Sequence, residues 1–100
     1  KLIAIKQRPT NLKENAFITF NEKEGKIAGK AACNSFFGEY VIIRNTITIE
    51  GLGSTKMFCE GLMDEENQIL TNLEKTKRFE VKTHMLYLYS LDELLLTFKR

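Results

Sequence analysis

One hundred residues make one domain with room for a single core. The balance of 43% hydrophobic and 28% charged residues is ordinary for a globular chain. Net charge is only +2, with both signs interspersed, so there is no electrostatic footprint for nucleic acid or an anionic membrane. No apolar run approaches the ~18 residues of a membrane span, and any signal peptide or lipid anchor would have to lie upstream of Lys1.

Residues 1–6 alternate, Leu2 and Ala4 against Ile3 and Ile5, which predicts a short strand. Pro9 is expected to stop it, and residues 10–15 read as polar loop. Ala16-Phe17-Ile18-Thr19-Phe20 is β-branched and aromatic, hence a strand. Glu22-Lys23-Glu24-Gly25 is a charged turn, from which residues 26–32 pair back as a hairpin. Gly29 lies inside that strand and marks a bulge or a close approach to a neighbouring element. With Ala28, Ala31 and Ala32 it makes a small-residue patch that a helix is expected to cover.

Phe36-Phe37-Gly38 reads as a turn into a strand over 40–44. Residues 46–50 complete a second hairpin about Arg44-Asn45, with Ile47 and Ile49 inward. Gly51-Leu52-Gly53-Ser54 reads as a flexible joint. A helix is predicted over 60–76: Asp64, Glu65 and Glu66 lie early in it, and Lys75, Lys77 and Arg78 at or beyond its end, which suits the macrodipole. Leu62, Ile69, Leu70 and Leu73 form its buried stripe. Strands over 78–83, 85–89 and 94–99 finish the chain, with large apolar groups on both faces. The expectation is an α+β fold, a curled antiparallel sheet or partial barrel of about 7–8 strands on one principal helix.

Few residues carry chemistry. Cys33 and Cys59 form either one disulfide or two buried thiols, and the first would imply an oxidising compartment. With His84 alone to add, they are too few for a zinc site, and no metal or cofactor is expected. The available nucleophile–base pairing is a cysteine with His84, which reads as an exposed turn residue, so no catalytic residue is assigned. Glu66 breaks the apolar stripe and needs partners there, from loop N–H groups or Lys56. Phe36, Phe37, Met57 and Phe58 offer a candidate surface for a protein or an apolar ligand, though each also reads as core. A protease-inhibitor-like module presenting residues 51–56 as a rigid loop is a further alternative.

Several of these stretches resemble the META/HslJ family. They are Phe17-Ile18-Thr19-Phe20, Gly25-Lys26-Ile27-Ala28-Gly29, Cys33-Asn34 with Gly38-Glu39-Tyr40, Ser54-Thr55-Lys56-Met57-x-Cys59, Glu66, Leu86-x-Leu88 and Leu96-Thr97-Phe98. The family usually opens its first strand with Trp-x-Leu, whereas this chain has no tryptophan, and Ala32 stands where a glycine often precedes Cys-Asn. The resemblance implies antiparallel strands wrapped on one helix, without known catalysis. It also implies a bacterial envelope protein, periplasmic or lipid-anchored, tied to heat shock and novobiocin tolerance, and a monomer is expected. It further places Asn34 and residues 54–57 near Glu66. Glu66 is therefore expected to be at least half buried and to clamp helix to sheet through backbone or side-chain donors of Cys33 and Asn34 or of residues 54–57, with Asn34, Thr55 and Lys56 as the candidates.

Overall fold

The computed structural model describes residues 1–6, 8–9 and 16–100; the loop expected over 10–15 lies outside the described residues. The strands are β1 (Leu2–Ile5), β2 (Arg8–Pro9), β3 (Phe17–Asn21), β4 (Lys26–Ala31), β5 (Asn34–Ile43), β6 (Thr46–Ser54), β7 (Arg78–Lys82), β8 (Met85–Tyr89) and β9 (Leu94–Lys99). One helix, α1 (Met63–Lys75), connects β6 to β7. The strands form one antiparallel sheet, not closed, in the order β2-β1-β9-β8-β7-β6-β5-β4-β3. The class is α+β, with nine strands among the described residues.

Local chemistry sets the hairpins. Gly25 takes φ +65° in the β3–β4 turn, at no steric cost for a residue without Cβ. The other tight turns place side-chain-bearing residues in the left-handed region: Ala32 (+67°), Arg44 (+59°) and Thr83 (+55°). Pro9 does not simply end β1. It pairs back opposite Ala4 in β2, the terminal strand of the sheet, where a residue lacking N–H is tolerated.

Three further expectations are corrected. Phe36-Phe37-Gly38 is not a turn but the early part of β5; the chain reverses one step sooner, at Ala32-Cys33. Gly51-Leu52-Gly53-Ser54 is not a joint but the end of β6, with Gly53 opposite Phe37 and Ser54 opposite Phe36. Gly29 and Gly53 are partners of aromatic rings. A Cβ on Gly29 would run into the Phe17 carbonyl and lie 2.7 Å from Phe36 Cζ, and one on Gly53 would lie 2.9 Å from Phe37 Cε1. Each ring covers the glycine opposite it, the cross-strand device that compensates a glycine in a sheet. Gly29 is thus covered by Phe36 of the next strand rather than by the helix. Ala28 is exposed, while Ala31 and Ala32 are fully buried.

The helix begins at Met63, after a turn in which Gly61 adopts φ +81°, rather than at residue 60. It ends in a side-chain stop, the Thr76 hydroxyl donating to the Asn72 carbonyl at 2.8 Å. α1 lies against β4, β6 and β9, burying Ile69 and Leu73 in one core with Ile27, Ala31, Phe36, Leu88 and Leu96.

Candidate functional site

Two regions stand out. The first is the corner where the β4–β5 turn meets the start of the helix. Glu66 is only 2% exposed, and each of its oxygens is an acceptor. Oε1 receives the backbone N–H groups of Cys33 (2.9 Å) and Asn34 (2.6 Å), and Oε2 receives Asn34 Nδ2 (2.6 Å). The tight turn at Ala32 aims two successive N–H groups at one carboxylate, which sits in the first turns of α1 where the helix dipole favours negative charge.

Asn34 carries the contact onward. Its Oδ1 accepts from Met57 N–H (2.7 Å) and Thr55 Oγ1 (2.8 Å), and its Nδ2 also donates to the Met57 carbonyl (2.9 Å). Thr55 Oγ1 in turn accepts from Ser35 N–H at 3.2 Å. Cys33 is bridged to Cys59, with Cα atoms 5.9 Å apart. Helix, β4–β5 turn and the 55–59 segment are therefore fastened by one bridge and a connected set of hydrogen bonds. No buried side-chain polar atom among the described residues lacks a partner.

Lys56 is not part of this brace. It is exposed, with Nζ 3.2 Å from Ser54 Oγ, because Glu66 is already supplied by turn amides. The four residues expected to form an apolar surface also separate. Phe36 is 2% exposed in the core, whereas Phe37, Met57 and Phe58 are exposed. Phe37 lies over Gly53, and Met57 is held through its backbone by Asn34.

The second region was not visible in the sequence. A cavity of about 670 Å³ lies between β3 and β5 on one side and β7–β9 on the other, with Phe17, Ile42, Ile47, Val81, Leu86 and Phe98 in its wall. Phe17, Ile42 and Val81 are exposed at its edges. Phe20 and Tyr40, also in the lining, stack edge to face at 5.1 Å. Thr83, His84, Lys99, Arg100, Lys1 and Glu22 add polar groups to the lining. The hint was present in the apolar residues on both faces of the last strands, but which face stays open depends on contacts between distant strands.

An open antiparallel sheet packed on α1, locked by a bridge and a buried carboxylate and hollowed at one side, defines a small α+β domain. The chain belongs to the META domain family, whose model matches residues 1–100. It is similar to a protein solved by NMR, at 26% identity and a TM-score of 0.74, covering 96% of this chain and 83% of that one. It is also similar to the NMR structure of a protein from Burkholderia xenovorans. That likeness has a TM-score of 0.74 over 88% of this chain and 65% of that one, and at 22% identity it shows the fold alone. No curated protein matches.

Proposed function

We propose that this is a non-enzymatic, stress-associated domain of the bacterial cell envelope that takes up an apolar ligand in the β3/β5–β7/β9 cavity. The cavity carries the reading: its volume falls within the several hundred Å³ usual for small-molecule sites, and its walls are mainly apolar. The brace supports it differently. Its polar groups are spent on one another, and both cysteines are bridged, leaving neither thiol as a nucleophile. A native disulfide also fits an oxidising compartment, in line with a periplasmic or lipid-anchored location. The protease-inhibitor alternative is weakened because residues 51–54 belong to β6 and pair with β5 rather than forming a presented loop.

We also read the sheet as curled toward a partial barrel. Leu2 N–H donates to the Ala16 carbonyl at 2.7 Å, bringing β1 beside the entry to β3 although they lie near opposite ends of the strand order. That curl turns a sheet face into a cavity. The test is titration with the neutral apolar dye N-phenyl-1-naphthylamine. Saturable one-site binding that is lost in Val81→Trp, a cavity-filling change at an exposed position, supports the reading; dye binding unaffected by Val81→Trp contradicts it.

A further inference from the structure

The cavity has an apolar interior and an asymmetric mouth, and the strand register builds that mouth. Lys1 and Lys99 exchange backbone hydrogen bonds, Lys1 N to Lys99 O at 2.7 Å and Lys99 N to Lys1 O at 2.6 Å. Arg100 N–H donates to the His84 carbonyl at 2.8 Å, and Lys99 stands opposite Met85. The β7–β8 turn, the end of β9 and the residue before β1 therefore meet at one place. They bring two lysine side chains, an arginine and an imidazole to it.

Arg100 follows the end of β9, two residues beyond Phe98, and both line the cavity. Phe98 is 4% exposed in the wall and Arg100 exposed at the lip. Glu22 is the one acidic side chain in the cavity lining among the described residues. Lys1, Lys99 and Arg100 have no carboxylate partner among the described residues. Unpaired cations beside a low-dielectric hollow focus a positive potential there.

Resting on the reading of the cavity as the binding site, we infer that its occupant is an anionic amphiphile. The apolar chain lies along Ile42, Leu86 and Phe98, and the single anionic head group is held at Arg100 and His84 within the field of Lys1 and Lys99. A carboxylate or phosphate head could accept the forked N–H donors of Arg100. The neighbouring lysines contribute attraction that salt screens.

The test is displacement of N-phenyl-1-naphthylamine by decanoate and by 1-decanol, which share chain length and differ in head charge. Decanoate is expected to displace the dye at about tenfold lower concentration than 1-decanol at low salt, given charge-assisted contacts at the mouth. Arg100→Glu is expected to abolish that preference, with the fold checked by its thermal melt. Equal displacement by the two would overturn the anionic assignment and leave the apolar cavity standing. A preference that survives in Arg100→Glu would overturn the placing of the head group at this mouth. Failure of the dye to bind saturably would overturn both readings.

Discussion

Strand β5 joins two unlike regions. At its start, Asn34 and Phe36 are buried and every buried side-chain polar atom of the brace has a partner; at its end, Ile42 and Ile43 are 45% and 67% exposed. In the brace, burial is tolerable because a carboxylate is met by three donors. At the far end large aliphatic groups stay uncovered, forgoing roughly 1.5–3 kcal/mol that full burial of each would contribute. The contrast teaches that stability is concentrated where the chain is cross-linked, and apolar surface is left available where it is not.

The largest effect should come from the brace. Glu66→Ala removes the acceptor of Cys33 N, Asn34 N and Asn34 Nδ2. Each stranded buried donor costs about 1–3 kcal/mol, so a loss of about 3–5 kcal/mol is expected in denaturant melts. Glu66→Gln keeps Oε1 for the two backbone amides but sets an amide NH₂ against Asn34 Nδ2. It should lose less, about 1–3 kcal/mol. If the two variants melt alike, the hydrogen-bonded clamp is wrong.

Next is Cys33→Ser with Cys59→Ser, which opens a link between residues 26 apart. The chain-entropy account gives a loss of about 3–4 kcal/mol, measurable as a fall in the denaturation midpoint. A loss below about 1 kcal/mol would mean the hydrogen bonds alone hold the corner.

The two glycine–aromatic pairs sharpen the comparison further. Gly29→Ala meets a backbone carbonyl and a buried ring, and should cost about 1–3 kcal/mol by overpacking. Gly53→Ala meets only the half-exposed ring of Phe37, which can swing away, so its cost should fall below that of Gly29→Ala by thermal melt.

Much of this organisation was legible. Period-two alternation marked most strands, and the hairpins at 22–25, 44–45 and 83–84 followed from turn residues. Glu66 announced itself by interrupting Leu62, Ile69 and Leu73. What misled was local punctuation: Gly51 and Gly53 read as a break, and Phe36-Phe37-Gly38 as a turn. The role of Gly53 depends on the ring of Phe37 in another strand, which no local window contains. Phe36 and Phe58 show the same limit, since one is 2% exposed within β5 and the other 79% exposed in the irregular segment after β6. The cavity is harder still, because β3 and β9 meet across it from distant parts of the chain.

The smallest effect belongs to the cavity lip. Thr83 is β-branched at φ +55°, a conformation that disfavours its side chain. Thr83→Gly should therefore stabilise the fold by about 0.5–1 kcal/mol in a thermal melt, and destabilisation would indicate that the hydroxyl makes a needed contact.

The account's central claim is a division of labour: the brace holds the fold and the cavity binds. Two-dimensional NMR of isotope-labelled protein titrated with decanoate tests it most directly. Amide shifts should change at Phe17, Ile42, Val81, Leu86 and Arg100 and saturate, while Cys33, Asn34 and Glu66 stay in place. Saturating shifts centred on Phe37, Met57 and Phe58, with the β7–β9 wall silent, would contradict it.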